Sequence, residues 1–144
     1  MPATVAVDAS VVVRFLTGDD KTQSAAAADL FRAAQSGTLR LVIPTSTVQE
    51  AVYVLERLYH LRAAEIASKL ISLLAIPNVD PADARWVTEA LQCYRVRSCD
   101  FGDALLCAFA QSEGCGVATF DKGVPGEFPE VPARSPADWL AGRG

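Results

Sequence analysis

Thr4-Val5-Ala6-Val7-Asp8 decides how the chain is read: a short apolar, β-branched run stopped by a carboxylate. Such a run, bounded on both sides, predicts a buried strand. Near the other end Val117-Ala118-Thr119-Phe120 repeats the pattern and stops at Asp121. Between them Leu41-Val42-Ile43 gives a second strand closed by Pro44, and Ile76-Pro77-Asn78-Val79 holds room for a brief one. The intervening segments have helical spacing. Ser10 is placed to cap a short helix through Val11, Phe15 and Leu16, broken at Thr17-Gly18. Thr22 to Gln35 reads as a helix ended by Gly37, and Thr47 to Tyr59 as one with Val48, Val52, Leu55 and Leu58 or Tyr59 on one side. Ala63 to Leu74 is helical. Pro81 is suited to open a further helix carrying Trp86, Val87, Ala90 and Leu91. Asp100 to Glu113 is apolar on several sides, so a buried helix is expected, and a last helical turn falls around Trp139-Leu140. Strands alternating with helices predict an α/β domain with a mostly parallel sheet.

At 144 residues the chain suits one domain, residues 1–144, with a core of its own. A hydrophobic fraction of 51% excludes a disordered chain. The net charge of −4 argues against nucleic-acid affinity driven by bulk positive charge, but leaves room for a local basic strip or a cation that inverts the sign of a pocket. No run reaches a membrane span, and Met1 to Ser10 lacks a secretory leader, so a cytoplasmic location is expected. Cys93, Cys99, Cys107 and Cys115 form no C-x-x-C pair; the last three are expected to behave as small hydrophobes. His60 is the only histidine, which removes His-rich metal sites, and its place suggests a helix C-terminus.

The chemistry therefore rests on carboxylates. Parallel sheets bind ligands beyond the carboxyl ends of their strands, where Asp8 and Asp121 fall. Glu50 in Thr47-Val-Gln-Glu50 and Asp103 in Asp100-Phe-Gly-Asp103 sit in early turns of predicted helices. Each has a plain structural explanation. Asp8 could simply end a strand, Thr47-x-x-Glu50 fits a capping box, Asp100 fits an N-cap with Asp103 favoured by the helix dipole, and Asp121-Lys122-Gly123 fits a turn. If they cluster, each like-charge pair costs about 4 kcal/mol at ~4 Å and an effective dielectric near 20, so protons or a cation must intervene. Oxygen ligands without His or Cys select Mg²⁺ or Mn²⁺, and such ions at a phosphodiester give hydrolysis.

In these contexts the chain resembles the PIN domain family, and more narrowly the VapC toxins of prokaryotic toxin–antitoxin pairs. The motifs are Val-Ala-Val-Asp8-Ala-Ser10, Thr-Val-Gln-Glu50-Ala-Val-Tyr-Val-Leu, Asp-Phe-Gly-Asp103-Ala-Leu-Leu-Cys-Ala-Phe-Ala and Thr119-Phe-Asp121, spread over about Thr4 to Pro132. The resemblance implies an α/β/α domain in which Asp8, Glu50, Asp103 and Asp121 ligate Mg²⁺ or Mn²⁺. Ser10 would help orient water or an acid, and Thr119 matches a hydroxyl position before the last acid. Asp100 is either a further acid at the rim or an N-cap. It further implies an RNA endonuclease leaving a 3′-hydroxyl and a 5′-phosphate, a VapB-like antitoxin as partner, and a homodimer. Arg14, Arg40, Arg95, Arg97 and Lys122 are candidates for flanking phosphates. Val12, Phe15 and Tyr53 could face a partner but are expected in the core.

Two other functions fit less well. One is a PIN nuclease of RNA processing outside a toxin–antitoxin pair. The other is a non-catalytic Mg²⁺-binding α/β regulatory module. A receiver would carry an acidic pair after its first strand, where Asp8 stands alone, and a phosphoaspartyl phosphatase would need an acid where Ser10 lies.

Overall fold

A computed structural model describes residues 2–82 and 85–142. β1 (Ala3–Ala6), β2 (Leu39–Ile43) and β3 (Val79–Pro81) form a parallel sheet in that order, with Val5 opposite Leu41 and Leu41 opposite Val79. Parallel neighbours need long crossovers. The first is made by α1 (Ala9–Thr17) and α2 (Lys21–Gln35), the second by α3 (Thr45–Arg57) and α4 (Ala63–Leu74). The chain continues through α5 (Trp86–Arg97), α6 (Phe101–Glu113) and β4 (Val117–Ala118). It then passes through α7 (Gly123–Glu127), β5 (Ala133–Arg134) and α8 (Pro136–Leu140). β4 pairs in parallel with β5 as a separate ladder, Val117 opposite Ala133. The result is a parallel α/β fold flanked by helices.

β2 is the middle strand, and its Leu41 and Ile43 are fully buried. They join one hydrophobic cluster with Val12 and Phe31 from the first crossover and Val48, Leu55, Ile66 and Leu70 from the second. Leu91, Tyr94 and Leu105 extend it through α5 and α6. Each such side chain contributes roughly 1.5–3 kcal/mol of burial, which makes this cluster the main force holding the helices to the sheet.

Several boundaries differ from the sequence expectation, each for a local reason. α1 starts at Ala9, so its cap is Asp8 and not Ser10. α3 starts at Thr45 after Pro44, two residues earlier than expected. Thr47 is thus inside the helix, and the capping box Thr47-x-x-Glu50 does not form. The third strand is Val79–Pro81 rather than Ile76–Val79, and Pro81 ends it instead of opening a helix. As an edge residue it owes no N–H to a ladder on its free side. The expected helix begins only at Trp86, and its positions 83 and 84 lie outside the described residues. The strand before Asp121 stops at Ala118, leaving Phe120 86% exposed. α7 and β5 had no distinct signal in the Pro-rich tail. Cys99 and Cys107 are buried as expected, whereas Cys115 is exposed beyond the end of α6. Val12 is core and Phe15 packs against it, but Tyr53 is 58% exposed.

The tail closes over a glycine. A Cβ on Gly116 would lie 2.4 Å from Trp139 Cζ2 and 2.9 Å from the Pro132 carbonyl oxygen. Only glycine lets the α8 indole cover the start of β4, where its Nε1 donates to the Val117 carbonyl at 2.8 Å.

Candidate active site

The carboxyl end of β1 and the start of α3 are tied by one buried hydroxyl. Thr47 Oγ1 donates to the Val7 carbonyl at 2.8 Å, and Thr47 is the buried polar residue among a stripe of Val48, Ala51, Val52 and Leu55. That bond satisfies a strand-end carbonyl which would otherwise cost about 1–3 kcal/mol to bury alone. It also sets the residue before Asp8 against the helix that carries Glu50. Asp8 and Glu50 consequently line one cavity of about 440 Å³, together with Ser10, Val13, Arg14, Val54, Leu58 and Tyr59.

Asp8 is held as an anion. One carboxylate oxygen accepts from the Ser10 hydroxyl at 2.6 Å and from the Ser10 amide at 2.9 Å. These two bonds, the hydroxyl first, hold the Asp8 carboxyl below its ordinary value. Ser10 therefore orients an acid. Glu50 is exposed and lies one and a half turns into α3.

The other acids gather at the start of α6. Asp100 is its N-cap, and Asp100 Oδ1 accepts from the Asp103 amide at 2.9 Å. The small Gly102 fits between: a Cβ there would already lie 3.0 Å from the same oxygen. Asp103 is partly buried, and its carboxyl is pushed up first by desolvation and then by the charges of Asp100, Asp121 and Glu127. Asp121 makes a turn, its Oδ1 accepting from the Gly123 amide at 2.8 Å. Thr119 Oγ1 accepts from the Asp121 amide at 2.9 Å, so its hydroxyl positions Asp121. The α6 start is anchored from below. The Tyr94 hydroxyl donates to Glu56 on α3, and its ring meets Phe101 edge-on at 5.2 Å.

The structure thus joins Asp8 with Glu50 in one cavity and sets Asp103 in the electrostatic reach of Asp100 and Asp121. Among the described residues no three His, Cys, Asp or Glu side chains stand close enough to hold a metal ion by themselves.

Of the five basic candidates only Arg14 lines the cavity. Arg40 sits near the amino end of β2, the middle strand, and pairs with Asp80 at 3.1 Å. Arg97 is held by Glu130 at 2.9 Å, by the Glu127 carbonyl and by the Phe128 ring. Arg95 and Lys122 are exposed. Three residues beside Arg14 escaped the sequence reading. Asp19 pairs with Arg14 at 3.0 Å, Gln23 accepts from its Nε at 2.7 Å, and Tyr59 bonds both Arg14 and Asp19. The Tyr59 hydroxyl is the first cause holding Asp19 below its ordinary value, and the Asp19 charge raises Arg14. The only hint in the sequence was the choice between Leu58 and Tyr59 as the last inward residue of α3. Leu58 is 71% exposed, and Tyr59 turns in.

No helix among the described residues is long and apolar enough to cross a membrane. No curated protein is found to match the chain. The sequence pattern of the PIN domain does match, over residues 5–132, a span that includes both acidic groups, and the chain belongs to the PIN domain family.

Proposed function

We propose that this protein is a metal-dependent endoribonuclease acting as the toxin of a VapBC-type pair. PIN domains are generally nucleases, and usually metal-dependent ones. The observation that carries the reading is the cavity shared by Asp8 and Glu50, with a cation, Arg14, on its wall. The donor set fits a hard cation. Mg²⁺ keeps several waters and takes one or two carboxylates plus phosphate oxygens, which the Asp8–Glu50 pair can complete. The raised carboxyl of Asp103 fits as well: burial raises it first and the charges of Asp100, Asp121 and Glu127 add to it, and a divalent ion would offset that second part.

Asp8 and Glu50 would hold the ion, with Asp103 and Asp121 adding negative charge from the α6 side. When bound, Mg²⁺ or Mn²⁺ supplies the Lewis acidity that makes water a competent nucleophile and offsets charge on the phosphodiester. Ser10 keeps Asp8 ionised and fixed in direction. Thr47 keeps the two acid-bearing elements in register. Thr119 and the Asp121 turn hold the last acid in place.

The test is cleavage of end-labelled total RNA by the purified protein with Mg²⁺ or Mn²⁺, with EDTA, and with Asp8→Asn. Discrete fragments that vanish with both EDTA and Asp8→Asn support the reading. Identical behaviour of wild type and Asp8→Asn defeats it, and inactivity of the folded protein favours a regulatory Mg²⁺-binding module. The toxin role needs a second assay. A small VapB-like protein encoded beside this one should co-purify with it and suppress cleavage. A nuclease indifferent to any such neighbour belongs to RNA processing instead. Homodimerisation belongs to the same proposal and is read from sedimentation of the free protein.

A further inference from the structure

An acidic cavity that cleaves a polyanion must also attract it, and the net charge of −4 gives no general help. Among the described residues lining the cavity, Arg14 is the only cation. It lies six residues beyond Asp8 on α1, about 9 Å along the helix axis at 1.5 Å per residue. Its guanidinium is fixed from three directions. Nε donates to Gln23 of α2 at 2.7 Å, and Nη1 donates to Asp19 of the connecting loop at 3.0 Å and to the Tyr59 hydroxyl beyond α3 at 3.2 Å. Asp19 is itself gripped by the Tyr59 hydroxyl and by Thr17 Oγ1 at 3.0 Å. The remaining nitrogen, Nη2, has no hydrogen-bond partner among the described residues.

This arrangement separates two jobs of one side chain. Nε and Nη1 are used for placement, and Nη2 is left for a ligand. A free arginine loses much of its rotamer entropy on binding, whereas a pre-anchored fork has lost it in folding. Ser10 and Arg14 also line a second, mainly apolar cavity of about 400 Å³ with Val11, Gln23, Ala26 and Leu30. Arg14 therefore stands where the two cavities meet, on a path leading away from Asp8.

We propose that Arg14 is a phosphate-positioning residue, its Nη2 gripping a backbone phosphate that flanks the one addressed by Asp8 and Glu50, with Asp19, Gln23 and Tyr59 holding it in aim. This rests on the nuclease reading above. It commits to an RNA phosphate as the ligand; a carboxylate of a protein partner is the competing occupant. Charge-assisted bonds to phosphate are worth enough to change affinity about tenfold.

The experiment is steady-state cleavage of a short, unpaired, fluorescein-labelled oligoribonucleotide across a salt series. Arg14→Ala should raise KM about tenfold with kcat within about twofold. Its log KM against log salt should be shallower by about 0.7, the loss of one single-strand phosphate contact. Arg14→Lys should recover the salt slope but not the full affinity, because an ammonium cannot reproduce the anchored fork. Arg40→Ala, which removes a cation that is paired with Asp80 and lines neither cavity, should change neither. Neutral methylphosphonates placed singly along the oligonucleotide give the register. Wild type should weaken at one flanking position, and Arg14→Ala should lose nothing more there.

An unchanged KM and salt slope in Arg14→Ala, even with a lower Tm, overturns the proposal and leaves a structural ion pair or a protein-facing residue. So does a loss spread evenly over all methylphosphonate positions. The nuclease reading is judged separately by anisotropy of the same oligonucleotide in EDTA. Wild type that neither cleaves nor binds sinks both readings. Wild type that binds through Arg14 without cleaving sinks only the nuclease, and wild type that cleaves regardless of Arg14 sinks only the clamp.

Discussion

The two acidic corners of this protein use the same residue types under opposite conditions. At the end of β1, Asp8 receives two hydrogen bonds from Ser10 and its carboxyl is held down. At the start of α6, the Asp103 carboxylate receives none among the described residues and is pushed up first by burial and then by three neighbouring carboxylates. The first corner is ready to offer a charge, and the second is in need of one to balance it. A carboxylate's role is thus set by what faces it. Donors make a fixed anion, and like charges make a site that gains from a cation or a proton.

The comparison can be broken most severely at Asp8. Asp8→Asn keeps the helix cap, because Asn serves that position as well as Asp, but removes the charge. Cleavage should fall at least about a hundredfold with little change in Tm, as expected on losing a metal ligand. In contrast Asp100→Asn should leave cleavage within about twofold, since Asp100 is occupied with the α6 cap. Paired kinetic and thermal measurements on the two variants decide whether the corners differ in kind.

Next in size is the joint between corners and sheet. Thr47→Val leaves the Val7 carbonyl without its buried donor, at a cost of about 1–3 kcal/mol, or a Tm drop on the order of 3–10 °C. Calorimetry checks it. An unchanged Tm would mean that the Asp8 corner is fixed by packing alone.

Asp103→Asn should act in the other direction. Its raised carboxyl means that ionisation is disfavoured in the folded state, so at neutral pH the charge costs stability. Removing it should raise the Tm of divalent-free protein slightly, by about 1–3 °C. As pH falls and wild-type Asp103 takes up its proton, the two proteins should converge. A variant that melts lower than wild type without divalent ions would show that the α6 corner is held together by its charges.

The smallest effect concerns the thiols beside the α6 corner. Burial pushes the Cys99 thiol up to about 12 and the Cys107 thiol up to about 11, while Cys115 is exposed. At neutral pH a thiol reagent should modify Cys115 first, and Cys99 and Cys107 only on unfolding. Mass spectrometry of the timed reaction reads this directly, and rapid modification of Cys99 would show that the corner opens.

Much of this was legible in the chain. Val-Ala-Val before Asp8 ends a strand as an apolar β-branched run predicts, but the burial expected of it is only partly met. β1 is an edge strand with Ala3, Thr4 and Ala6 exposed and Val5 half-buried, and only Val7 just beyond it is buried. The α6 cap at Asp100 was one of two readings, beside a rim acid, and it was legible because capping is a contact over three residues. Errors arose where two local signals competed. Thr47 looked like a cap through its spacing to Glu50, but Pro44 starts the helix earlier, and the hydroxyl was free to serve β1. Pro81 looked like a helix opener because its fixed φ suits both a helix start and the end of an edge strand.

What the sequence determined by itself was most of the larger elements and the acids at their ends, since both follow from hydrophobic periodicity and from chemistry confined to a few neighbours; α7, β5 and the place of Asp19 were not among them. The tertiary structure decided which acids share a cavity and which cation joins them. Thr47 reaches Val7 across 40 residues, and Arg14 reaches Tyr59 across 45. A polar bond over such a separation leaves no periodic trace. It forms only after burial of the apolar faces has brought the two crossovers together and set the distance between donor and acceptor.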